Sequence, residues 1–114
     1  MAAFDFPVGY EAFHRRQLFN FQLNRWYSLG YARREDMVTA GRNVSSFGDW
    51  KREMLRQADA AFADGRDLNG TFHLRAAEFY TKSDDPDKLL LYRRFRDRFD
   101  ALFADSGMER IDVP

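Results

Sequence analysis

Between Phe47 and Phe62 the apolar residues Phe47, Trp50, Met54, Ala58, Ala61 and Phe62 fall three or four positions apart. That spacing lines one face of an α-helix. A strand cannot use it, because a strand turns its side chains over at every second residue. The same period runs through almost the whole chain, so the sequence predicts an all-α fold, a small bundle of about five helices. With 114 residues one domain is expected. A chain of this length buries roughly two-thirds of its unfolded surface. Hydrophobic residues make up 45%, with 12 Phe among them, which supplies a packed core and excludes a disordered chain.

The punctuation places the helices. A first one is predicted from about Tyr10 to Leu29, after Pro7 and Gly9 and before Gly30. Phe19, Leu23, Trp26 and Tyr27 share one of its faces, whereas Leu18 and Phe21 point elsewhere. This helix is therefore apolar around more than one stripe, and a single neighbouring layer would not cover it. A short second helix spans about Arg33 to Ala40, with Gly41 and Asn43 as stop signals. The third starts at Ser45 or Ser46, either of which can cap free amides, and ends at Gly65.

The fourth helix is predicted from about Leu68 to Thr81 on the stripe Phe72, Ala76, Phe79 and Tyr80. Gly70 weakens its start but allows the third helix to come close. The fifth has the clearest grammar. Asp85 is a cap, Pro86 suits the first helical position, and Asp87 complements the positive end of the dipole. Tyr92, Phe95, Phe99, Leu102 and Phe103 follow at helical steps, and Gly107 is the predicted stop. In the tail "ERIDVP", Ile111 and Val113 alternate with charges, the period of a strand, with nothing in a helical bundle to pair with.

The chemistry the sequence lacks is as informative. Lys plus Arg equals Asp plus Glu, 18 each, so the chain has no overall field that attracts nucleic acid or anionic lipid. There is no cysteine, which excludes disulfides and thiol catalysis and fits a cytoplasmic protein. The N-terminus has no basic region followed by an apolar run, and no segment approaches the roughly 20 apolar residues of a membrane span. The G-x-S-x-G turn that exposes a nucleophilic serine does not occur, nor do the Gly-rich phosphate loops. Ser28, Ser45, Ser46, Ser83 and Ser106 lie near predicted helix ends, where capping is their role. His14 and His73 are on different segments without metal-ligand spacing, and His73 reads as a boundary residue. No cofactor is implied. Arg15, Arg16 and Arg25, interleaved with Phe19, Phe21 and Trp26, could stack on bases or lie on a membrane. The balanced net charge favours a core or interface helix instead.

Two resemblances add to this reading. Trp50, Ala58, Gly65, Ala76 and Phe79 followed by Pro86 have approximately the order of a tetratricopeptide unit, but the 34-residue repeat has no second copy. More of the chain resembles the N-terminal helical region of a branch of α/β-hydrolases, the branch of pseudooxynicotine hydrolase and of fungal hydrolases that shorten polyketide pigment precursors. The resembling pieces are Asp49-Trp50, Ala58, Gly65, the run Arg75-Ala76-Ala77-Glu78-Phe79-Tyr80 and Asp85-Pro86-Asp87-Lys88. "FQLNRWYSLGYARRED" upstream and "MERIDVP" downstream also fit.

In that family the helical region folds over the active site as part of a cap and can contribute dimer contacts, while the Ser–Asp–His triad lies in the following core. The resemblance thus implies a helical cap domain over 1–107 and the start of a hydrolase core at 108–114. It implies no catalytic residue in this chain. The implied parent is a serine hydrolase acting on an ester or on a C–C bond next to a carbonyl. The implied partners are the hydrolase core of the same polypeptide, a small-molecule substrate and a homodimer contact, without nucleic acid or membrane. Phe19, Phe21, Trp26 and Tyr27 are the residues expected at the interface or the substrate passage. The alternative is a free-standing tetratricopeptide-like module that docks a peptide.

Overall fold

Two helices begin where the sequence offers an acceptor for their free amides. The Ser46 hydroxyl accepts from the Asp49 amide at 3.1 Å, and the Asp85 carboxylate accepts from the Asp87 amide at 2.9 Å, with Pro86 in the first turn. The computed structural model describes residues 11–104. Across them the chain forms α1 (Gln17–Ser28), α2 (Arg34–Asn43), α3 (Phe47–Ala63), α4 (Asp67–Phe79) and α5 (Pro86–Phe103), and no strand. The strand-like tail and the Gly107 stop lie outside the described residues. Each helix makes its close backbone approaches with its sequence neighbours: α1 on α2, α2 on α3, α3 on α4 and α4 on α5.

Aromatic side chains bridge the helices that are not neighbours. The Phe19 ring of α1 stacks on Trp50 of α3 at 5.8 Å, and Tyr80 sits edge-on to both. The two indoles donate to carbonyls one turn apart on α4, Trp26 Nε1 to Phe72 at 2.8 Å and Trp50 Nε1 to Ala76 at 2.7 Å. Tyr31 stacks face to face on Phe72 at 3.7 Å, and Phe95 and Phe99 of α5 close over the other side of that ring.

Four helices differ from expectation. The first begins at Gln17, not near Tyr10. Residues 11–16 are an irregular lead-in, because two asparagines of α1 take its backbone groups. Asn20 Oδ1 accepts from the amides of Phe13 at 2.7 Å and His14 at 3.0 Å. Asn24 exchanges two hydrogen bonds with the Glu11 backbone, each at 2.7 Å. These side chains supply the partners that a longer helix would have supplied.

The second helix runs on to Asn43, past Gly41. Gly41 is not a stop there. It is a contact point, since a Cβ on it would lie 1.7 Å from the Phe13 carbonyl oxygen. The fourth is buried on nearly every side, including Thr71, His73, Leu74 and Ala77, whereas Phe79 from the expected stripe is 36% exposed. A helix held between α3 and α5 and crossed by two tryptophans has no free face of any width. On the fifth, Leu91 is the buried residue and Tyr92 faces outward, so the phase read from the aromatic residues is one position off at its start.

The close approach anticipated at Gly70 is present. A Cβ there would lie 2.7 Å from the Phe62 ring of α3. Gly65 has φ +75°, the left-handed geometry that its place after α3 requires.

Gly41→Ala is expected to cost about 2 kcal/mol or more in urea unfolding, because the obstacle is backbone and cannot rotate away. Gly48→Ala, whose Cβ would meet only the Ser46 hydroxyl at 3.8 Å, should be neutral or gain up to about 1 kcal/mol.

Candidate functional site

The four aromatic residues singled out on α1 separate into inward and outward groups. Phe19 is fully buried in the cluster with Trp50 and Tyr80, and Trp26 is buried with its indole on α4. Tyr27 is half-buried, edge-on to Phe13 at 5.9 Å. Phe21 is 52% exposed. Leu18 and Leu29, at 45% and 52%, lie on the same edge of the helix, since 18, 21, 25 and 29 recur at three- and four-residue steps. Arg25 completes that line. The outer edge of α1 is therefore an apolar stripe with one cation in it, backed by a rigid aromatic core. Both halves of the two-stripe reading of this helix are present, but Phe19 and Trp26 serve the inner half.

A second constellation is buried between α2, α3 and α4. Arg33 grips Asp36 with Nε to Oδ2 and Nη2 to Oδ1, both at 3.1 Å, and Arg66 reaches Oδ2 at 3.3 Å. Gln57 Nε2 donates to the Asp36 carbonyl at 2.8 Å and to Glu53 Oε2 at 2.9 Å. Glu53 also accepts from Arg56 through two bonds and from Asn43 at 3.2 Å. Burial pushes both carboxyl groups up. Hydrogen bonds from Arg33 to Asp36, and from Arg56, Gln57 and Asn43 to Glu53, outweigh it and hold both below their ordinary values.

His73 closes this network from α4. It is wholly enclosed rather than a boundary residue, because α4 is covered on every side there. Neither ring nitrogen has a hydrogen-bond partner within the protein, and Nε2 stands 4.0 Å from Asp36 Oδ2. Burial pushes its titration down to about 4, with the Asp36 charge opposing that shift and Arg66 adding to it. A neutral imidazole with no nucleophile beside it does not form a catalytic dyad. Among the described residues no serine hydroxyl hydrogen-bonds a histidine ring, and no cluster of His, Asp and Glu has the geometry of a metal site. Ser46 caps α3, and Ser28 donates back to the Arg25 carbonyl at 3.2 Å. The network ties three helices together.

Asn20 and Asn24 escaped the sequence reading although a signal was there. Two asparagines one turn apart inside an apolar helix run against helix propensity, and that mismatch marks side chains engaged with backbone elsewhere.

The folded state holds His73 neutral while the unfolded chain protonates it near 6.5, so stability is complete above that pH and falls as pH drops toward 4. Asp36, Glu53, Arg33 and Arg66 are the charges around it. His73→Leu should remove about 2–3 kcal/mol of the stability difference between pH 7.5 and 4.5. Urea midpoints of both proteins at the two pH values measure it, and an unchanged difference would contradict the assignment.

Compared with known proteins, the chain matches no family model, no curated protein and no solved structure.

Proposed function

We propose that this chain is the helical cap segment of an α/β-hydrolase. In this reading the outer stripe of α1 rests on a serine-hydrolase core, and the segment shapes the passage of a small-molecule substrate toward it. The reaction it serves is hydrolysis of an ester or of a C–C bond next to a carbonyl, and the segment is not catalytic alone. One observation carries the reading: Leu18, Phe21 and Leu29 lie exposed on one edge of a helix whose other faces are buried. An edge of this kind is completed by a further layer of protein.

The resemblance of the segment Asp49–Phe95 to hydrolase cap regions supports the same reading. Phe21 and half-buried Tyr27 are the residues assigned to the core contact and the substrate passage, with Phe19 and Trp26 as their rigid support. A homodimer contact through the same edge belongs to this proposal. So does a cytoplasmic location, which suits the absence of cysteine. Among the described residues no helix is long and apolar enough to cross a membrane.

A specific observation also favours the second reading, a tetratricopeptide-like interaction module. Among the described helices, close backbone approaches run between sequence neighbours, the stacking order of helical repeat proteins, and α3 with α4 forms the hairpin of such a unit.

The two readings part at the messenger RNA and at the bench. The hydrolase reading expects the reading frame to continue past the Pro114 codon into a G-x-S-x-G motif; a stop codon there in the mature transcript overturns it. It also expects these 114 residues to leave p-nitrophenyl butyrate untouched. The double variant Leu18→Gln/Phe21→Gln should change the stability of the isolated chain by no more than about 0.5 kcal/mol, as at other exposed sites. In a longer chain carrying the core it should lower esterase activity. Equal activity of the two longer chains would remove α1 from the interface.

A further inference from the structure

A cleft of about 570 Å³ lies between the lead-in to α1 and the turn from α2 into α3. Its walls are residues 12–16 on one side and Gly41, Arg42, Val44 and Ser45 on the other. Both walls are fixed. The Arg16 amide donates to His14 Nδ1 at 2.8 Å, which leaves the proton on Nε2, and Nε2 donates to the Val44 carbonyl at 2.6 Å. Arg16 Nη1 reaches the Ser45 carbonyl at 3.2 Å, and its guanidinium lies over the Phe19 ring at 5.0 Å. Gly41 brings α2 against the Phe13 carbonyl.

Arg15, Arg16 and Arg42 line this cleft, and among the described residues no carboxylate does. Among the described residues neither Arg15 nor Arg42 has an acidic partner, and Arg16 pairs with a carbonyl. Exposed Arg25 and Arg93 are also without an acidic partner among the described residues, but they do not line this recess. A second groove, on the face of α3, also holds two arginines, but Arg52 is paired with Asp49 and Arg56 with Glu53. In a chain of zero net charge, three arginines lining one recess, with no counter-charge there among the described residues, make it locally cationic.

We propose that this cleft is a binding site for the phosphate group of a small soluble phosphate ester. Guanidinium forks match the oxygens of a phosphate in pairs, and opposed walls can grip it from two sides. The volume falls in the range of small-ligand pockets, about 300–1,000 Å³. Arg16, held by Phe19 and Ser45, is the preset contact, and Arg15 and Arg42 close from the two rims. The site stands apart from the outer stripe of α1 and does not depend on the cap reading.

The test is calorimetric titration of the chain with inorganic pyrophosphate at low ionic strength. Saturable one-to-one binding is expected. Arg15→Gln/Arg42→Gln should weaken it about tenfold or more, as the loss of charge-assisted hydrogen bonds implies. Arg52→Gln/Arg56→Gln, with equal loss of charge on the other groove, should leave it within about twofold. Ala12→Asp, which brings a carboxylate to the cleft without removing any arginine, should weaken it as well and serves if the double variant fails to fold. No saturable binding to the wild-type chain, or equal weakening by both double variants, would overturn the site. Association with phosphatidic acid vesicles in the absence of pyrophosphate binding would overturn the soluble ligand.

Discussion

The structure depends on two indole N–H groups finding carbonyls one turn apart on α4. Trp26 comes from α1 and Trp50 from α3, so the fourth helix is fixed by donors arriving from two directions. An indole buried without an acceptor would cost about 1–3 kcal/mol, and each here is nearly inaccessible to water. Phe72 lies in the body of α4 and Ala76 in its last turn, and a carbonyl at either place has a lone pair free for an indole. This lets tryptophan crosslink helices without disturbing them. Phe19 between Trp50 and Tyr80, and Phe72 between Tyr31 and α5, pack the space around the two bonds.

Polar groups do the complementary work of fixing register. Apolar surfaces tolerate sliding, whereas directed bonds between helices, Asn43 to Glu53 and Arg66 to Asp36, do not. Gln57 donates both to the Glu53 carboxylate and to the Asp36 backbone carbonyl, so α2 and α3 hold one another at a single offset. The asparagines of α1 do the same for the lead-in, and Gly41 makes room for it. His73 belongs to this layer without completing it, since its ring is enclosed by the network and bonded to none of it. Its neutrality follows from enclosure, which outweighs the nearby Asp36 charge.

The surface left over has two unlike features. The outer edge of α1 is apolar, and the cleft beside the lead-in is lined by arginines. They share a foundation, because Phe19 supports α1 from inside while its ring also carries the Arg16 guanidinium. A ligand in the cleft and a partner on the stripe would therefore both bear on a rigid part of the molecule.

Local chemistry was legible in the sequence. Ser46, Asp85 with Pro86, Gly65 and the phase of α3 from Trp50 to Ala61 are each decided by interactions within a few residues, and the folded chain keeps them, although Phe47 at the start of that stripe is 47% exposed. The all-α class follows from the helical period alone. The start of α1, the burial of α4 on every side and the choice of Leu91 over Tyr92 were decided elsewhere. They rest on contacts between residues far apart in the chain: Asn24 with Glu11, Trp26 with Phe72, Phe72 with Phe95. The sequence also shows that α1 carries two apolar stripes, but not which one faces inward. That choice belongs to the tertiary structure, because only the assembled helices offer the α4 carbonyls and the Trp50 ring that draw Phe19 and Trp26 in and leave Phe21 in water.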